Sequence, residues 1–138
     1  MTPTRAFATL ACLSLSIALQ AAPKTEYKLL KDVSYVPADA KGVSEYQTER
    51  CKLDLYYPTN KKGFATVVWF HGGGITGGNK FIPSQLKNQG LAVVAVNYRL
   101  YPKVKCPVYL QDAAAAVAWT FQHIAEYGGD PKRIFVSG

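Results

Sequence analysis

The 138-residue sequence lacks most of the features that assign a chain to a class at once. It has three cysteines and two histidines, with no CxxC and no paired histidines, so no zinc-site spacing exists. Sixteen Lys and Arg against nine Asp and Glu give a formal net charge of +7, yet no run of five basic residues occurs. The pairs Lys61-Lys62, Lys103 with Lys105, and Lys132-Arg133 read as a solvated surface, not a nucleic-acid face. No internal repeat or low-complexity tract follows the first 22 residues. No apolar run reaches the roughly 20 residues that cross a bilayer. At 49% hydrophobic and 18% charged, the chain has the composition of an ordinary globular domain rather than a disordered one.

Residues 1–22 stand apart. Arg5 precedes an uncharged run at 6–19 (AFATLACLSLSIAL), and Gln20-Ala21-Ala22-Pro23 follows with small residues. A basic start, a short apolar run and a small-residue cut site describe a secretory signal peptide. Cleavage is expected after Ala21 or Ala22, with a secreted or periplasmic product. A buried hydrophobic helix is the alternative, and a lipid anchor on Cys12 fits worse because little apolar chain precedes it. Residues 23–138 then form one incomplete domain. Secretion removes Cys12 and leaves Cys51 and Cys106 as an even pair in an oxidising compartment, so a disulfide between them is open.

After the signal, residues 24–36 alternate loosely and suggest an extended segment. Residues 51–57 alternate better and stop at Pro58, as a strand with one solvated face does. Residues 66–70 (TVVWF) and 91–96 (LAVVAV) are continuous apolar runs, expected of strands buried on both faces. Residues 80–89 suggest a short helix closed by Gly90. The clearest helix starts near Pro107, with Leu110, Ala114, Val117, Phe121 and Ile124 on one predicted face. Gly128-Gly129 ends it, Asp130-Pro131 turns, and residues 133–137 (RIFVS) begin another strand. This order predicts an α/β fold, a mostly parallel sheet flanked by helices.

His71-Gly72-Gly73-Gly74 follows a buried strand directly. Glycines in series suit a backbone that must approach another group closely with its N–H groups outward. Three readings compete. Residues 72–77 (GGGITG) match GxGxxG, but the next strand ends at Asn97 where a dinucleotide site would use a carboxylate. A phosphate loop needs Gly-Lys-Ser/Thr, and Gly78-Asn79-Lys80-Phe81 does not supply it. The third reading is an oxyanion hole, the use HGGG has in esterases and lipases. The apolar strand finishing at Ser137-Gly138 agrees with that reading, since Gly138 is placed as the first glycine of a GxSxG nucleophile elbow.

The stretches 70–80 (FHGGGITGGNK), 94–102 (VAVNYRLYP), 107–119 (PVYLQDAAAAVAW) and 127–138 (YGGDPKRIFVSG) together resemble bacterial α/β-hydrolase esterases of the hormone-sensitive-lipase-like and feruloyl/acetyl-esterase-like groups. The resemblance covers most of residues 50–138. It implies that backbone N–H groups of Gly73 and Gly74 line an oxyanion hole, and that His71 with Gly72 shapes the loop. It implies that Asp112 is structural and pairs with Arg99. It places the Ser, Asp/Glu and His of the triad beyond Gly138, so no catalytic triad residue lies in these 138 residues and the chain alone is expected to be inactive. Small-molecule esters are the implied substrates, with no metal or organic cofactor, no nucleic acid and no membrane span. Tyr98, Tyr101 and Tyr109 either border a substrate pocket or pack in the core, and His123 reads as an ordinary helix residue. A non-catalytic binding protein on the same fold and a prolyl-oligopeptidase-type peptidase remain as rival readings.

Overall fold

The computed structural model describes residues 23–138; the signal-peptide and Cys12 readings fall outside the described residues. Strand β1 (Tyr27–Ser34) is followed by a short helix α1 (Glu45–Arg50), then β2 (Lys52–Pro58), β3 (Phe64–Phe70), β4 (Ala92–Val96), the long helix α2 (Val108–His123) and β5 (Gly129–Ser137). The strands form one sheet in the order β1-β2-β4-β3-β5. β3 pairs in parallel with both β4 and β5, while β2 pairs antiparallel with β4 and with β1. The sheet is therefore mixed: its parallel part carries the glycine loop, and β1 with β2 adds an antiparallel wing.

Burial follows position in this order. Central β4 (AVVAV) is buried at every residue, as a strand covered on both faces requires. β3 alternates buried and half-buried residues. Leu53, Leu55, Val68, Val94 and Val96 join Ala116 and Ile124 from the helical side in the core. Register places Phe70 opposite Val96 and Trp69 opposite Ser137, so the carboxyl ends of β3, β4 and β5 share one edge of the sheet. In open α/β sheets that edge is where ligands bind.

Several expectations need correction. The helix expected at 80–89 is only a 3-10 turn, Ser84–Leu86. Pro83 removes an N–H and holds Ile82 extended, which stops a helix from starting earlier. α2 starts as expected beside Pro107, and Val117 and Ile124 of the expected face pack on the core, but the other three residues of that face do not. Leu110 and Phe121 are more than half exposed, and the buried line runs Asp112, Ala116, Thr120. The polar members are satisfied there: the Thr120 hydroxyl donates to the Ala116 carbonyl at 2.9 Å, and Asp112 is paired with Arg99. The Asp130-Pro131 turn lies within the bounds of β5 as an irregularity in its pairing with β3, held by the Lys132 N–H donating to Asp130 Oδ1 at 2.9 Å.

No disulfide joins Cys51 and Cys106; both are free. Cys51 follows α1 with its thiol in the core, whereas Cys106 is exposed ahead of α2, so the two occupy opposite surroundings. Burial pushes the Cys51 thiol up to about 11, which keeps it protonated and unreactive at neutral pH.

Candidate functional site

β3 ends at Phe70 and passes into the loop through His71, which is 4% exposed. The loop folds back on itself, with the Thr76 and Gly77 N–H groups both donating to the Gly73 carbonyl at 3.2 Å. Gly73 (φ +122°) and Gly78 (φ +102°) lie where L side chains are strained. A Cβ on Gly73 would strike the Gly77 carbonyl, and one on Gly78 would strike the His71 ring and the Gly72 carbonyl. These contacts explain the glycines by close approach. Among the described residues, the N–H groups of Gly73 and Gly74 meet no protein acceptor, and both residues are exposed.

His71 is fixed on several sides. Its Nδ1 lies 2.8 Å from the Gly72 carbonyl. A carbonyl only accepts, so Nδ1 carries the proton and Nε2 is left as an acceptor. The Tyr98 hydroxyl donates to the His71 carbonyl at 2.8 Å, and the two rings stack at 4.7 Å. Burial, reinforced by the Arg50 charge and opposed by the Gly72 hydrogen bond, holds the imidazole below its ordinary 6.5. His71 is therefore a neutral loop support at pH 7 with both ring nitrogens facing protein, not a free base.

Two basic side chains clamp the far end of the loop. Arg50, 8% exposed at the end of α1, donates to Asn79 Oδ1 at 2.7 Å, the Gly78 carbonyl at 3.1 Å and the Tyr98 carbonyl at 3.1 Å. The same Nη2 that donates to Gly78 also lies 3.5 Å from His71 Nε2. The Lys80 ammonium pairs with Asp54 at 2.7 Å and Asp32 at 2.8 Å, and the Lys80 N–H donates to Asn97 Oδ1 at 2.6 Å. Burial disfavours the Lys80 charge, but its hydrogen bonds to Asp32 and Asp54 outweigh that and raise its pKa above the ordinary value. Asp32 reaches this position with a left-handed backbone (φ +56°), its N–H donating to Asp54 Oδ1 at 2.9 Å.

Gly138 lies against the start of the loop: a Cβ there would sit 2.7 Å from the Phe70 carbonyl. Gly138 therefore lies beside Phe70, the residue that leads directly into 71–74. Beside them is an apolar cavity of about 190 Å³ lined by Phe70, Ile75, Tyr98, Tyr109, Leu110 and Ala113. Tyr98 and Tyr109 border it; Tyr101 is half-exposed and does not. Asp112 grips Arg99 with two parallel bonds, at 2.8 and 2.6 Å, and also accepts the Arg99 N–H at 3.0 Å. Asp112 is the fifth residue of α2 and not in its first turn, so the ion pair, not the helix dipole, accounts for it. His123 closes α2 beside Glu126 at 3.0 Å, away from the loop. Among the described residues no cluster of three metal-capable side chains occurs, and no helix is long and apolar enough to cross a membrane.

Sequence reasoning missed Arg50, Lys80, Asp32, Asp54 and Asn97. A charged residue between two leucines of a strand, as Asp54 is, was the one available signal.

Three comparisons bear on this geometry. The BD-FAE family model matches residues 53–138. A probable isoprenylcysteine alpha-carbonyl methylesterase of Oryza sativa subsp. japonica is 35% identical over 64% of this chain and 22% of its own length. The probable carboxylic ester hydrolase LipM of Mycobacterium tuberculosis is 42% identical over 55% of this chain and 19% of its own. Among solved structures, an inhibited esterase B from Lactobacillus rhamnosis superposes with a TM-score of 0.65 at 26% identity, covering 80% of this chain and 35% of that one. A truncated carbohydrate esterase from gut microbiota, at 24% identity and a TM-score of 0.63, speaks to the fold alone. The chain spans about a fifth of the length of the curated relatives it matches.

Proposed function

The chain belongs to the BD-FAE family and takes the α/β-hydrolase fold of the esterases it matches, and from there we propose that it supplies the oxyanion half of a secreted serine ester hydrolase. The observation that carries this reading is the meeting of two strand ends. Parallel pairing of β3 and β5 sets Gly138 against Phe70, and the loop carrying the unbonded N–H groups of Gly73 and Gly74 follows Phe70 in the chain.

In this reading a serine following Gly138 attacks an ester carbonyl, and the two glycine amides take the negative charge that builds on its oxygen. Preorganised backbone donors do this without reorganising during the reaction. A histidine and an acid from the same later sequence move the proton and orient the imidazole. His71 is not that histidine, because its nitrogens are committed within the loop. The cavity beside Ile75 and Tyr98 gives the ester an apolar wall. Residues 1–22 serve as the export signal, and the mature protein begins at Ala22 or Pro23.

An alkyl fluorophosphonate probe tests this. Full-length protein, read on past Gly138, is expected to be labelled and to hydrolyse a short-chain aryl ester. The 138-residue chain is expected to do neither. Full-length protein that resists the probe and leaves the ester intact contradicts the reading, as does turnover by the short chain above a heat-killed control.

A further inference from the structure

We infer that Arg50 is the positioning residue of the oxyanion loop: it aims the Gly73 amide through the tautomer of His71. The inference rests on the ester-hydrolase reading only for the consequence of that aim, not for the aim itself.

In a trans peptide the C=O of one residue and the N–H of the next point in opposite directions. The Gly72 carbonyl is turned toward His71 Nδ1 at 2.8 Å, so the Gly73 N–H must face the other way, out of the loop. That orientation holds only while Nδ1 carries the proton. The other neutral tautomer would set the Nδ1 lone pair against the carbonyl oxygen, and the peptide would be pushed round. The Gly72 carbonyl favours that tautomer from one side of the ring, and the group facing Nε2 reinforces it from the other. That group is the guanidinium of Arg50, 3.5 Å away, which has donors and no acceptor and so disfavours a proton on Nε2.

Arg50 is placed for this task at some cost. Its side chain is buried, and among the described residues no carboxylate lies within ion-pair distance of it. A buried charge without a counterion is unfavourable unless its hydrogen bonds are well made. The partners of Arg50 are neutral, and all but the Tyr98 carbonyl belong to His71, Gly78 or Asn79 of the glycine loop. The cation is spent on the loop rather than on an ion pair elsewhere. A lysine could not reproduce this, because one ammonium cannot span contacts that the planar fork meets together.

The test uses full-length protein with ¹⁵N-labelled histidine, the His71 signals being assigned by their loss in His71→Gln. The ring nitrogen shifts of the unmutated protein are expected to show the Nδ1–H tautomer; an Nε2–H pattern overturns the inference without any variant being needed. In Arg50→Met the tautomers are expected to mix, with kcat for a short-chain aryl ester falling about 100-fold and KM little changed, the effect of losing one oxyanion donor. Arg50→Lys is expected to recover thermal stability without recovering the tautomer or kcat. If Arg50→Met keeps both the Nδ1–H form and kcat, the inference fails while the ester-hydrolase reading stands. If the tautomer responds but the unmutated protein hydrolyses no ester, the positioning stands and that reading fails.

Discussion

β4 and β5 lie on either side of β3, pair with it in parallel, and end at the same edge of the sheet. Both are apolar where they meet it. β4 is buried at all five residues, whereas Phe135 and Val136 of β5 are 58% and 61% exposed. Among the described residues the difference is one of place: β4 has a strand on each side and a covered face on each, and β5 has a neighbour on one side only. The candidate site divides along the same line. Arg50, Lys80, Asn97 and Tyr98, which hold the glycine loop, all come from the loop or the β2–β4 side, while the β5 side contributes the close approach of Gly138. Among the described residues one half of the site is held by side-chain hydrogen bonds, and the other is an open surface.

The comparison can be pressed hardest by placing a carboxylate on each strand. Val94→Asp buries an unpaired charge in β4 and should cost about 4–5 kcal/mol, enough to unfold a marginal domain. In the same 138 residues Val136→Asp on β5 should stay within about 0.5 kcal/mol. Denaturant midpoints of the two variants check this, and similar losses would mean that β5 is covered in solution. In the 138-residue chain the bare β5 edge should also drive association. Light scattering at micromolar concentration is expected to show it, with Val136→Asp reducing it; a monomeric chain with a cooperative melt contradicts it.

A smaller contrast lies within the loop. Gly78→Ala forces a methyl into the His71 ring and should cost about 3 kcal/mol, combining left-handed strain with overpacking. Gly74→Ala meets open space and should cost only the backbone strain, about 1 kcal/mol. Equal costs would show that His71 is not seated where the structure puts it.

The smallest effect concerns pH. His71 is held below its ordinary 6.5 chiefly by burial. The unfolded chain therefore takes up a proton that the folded one refuses, and stability, level above about pH 6.5, declines as pH falls below it toward the folded-state value. Denaturation midpoints at about pH 7 and about pH 5.5 should differ, and His71→Gln should remove part of that slope. A slope unchanged in the variant assigns the effect to other groups.

How much of this the sequence displays depends on whether a single segment carries the signal. β3 and β4 are legible because a continuous apolar run states its own burial. The Arg99–Asp112 pair and the glycine loop at a strand end are legible through the resemblance. α1 is too short for periodicity, and its one sign is Ser44 with Gln47 three residues on, whose N–H the Ser44 hydroxyl accepts at 3.2 Å. Arg50 inherits that obscurity, since nothing local says that a polar residue before Cys51 folds under a loop more than twenty residues away. The face of α2 is read correctly at Val117 and Ile124 and missed elsewhere, because alanines at 113–116 and 118 make two sides of the helix nearly equal and the Arg99 pairing then decides for Asp112. The disulfide left open between Cys51 and Cys106, which the structure does not form, rests on counting thiols, and a count carries no information about where either one points.

The central claim is that the Gly73 and Gly74 amides face the place where an ester oxygen becomes negative. It is tested most directly by a crystal structure of the full-length protein after reaction with an alkyl phosphonate ester. The phosphonyl oxygen is expected about 2.7–3.1 Å from both amide nitrogens, the distance at which such donors act. A phosphonyl oxygen held by other groups, with those two amides turned back into the loop, would contradict it.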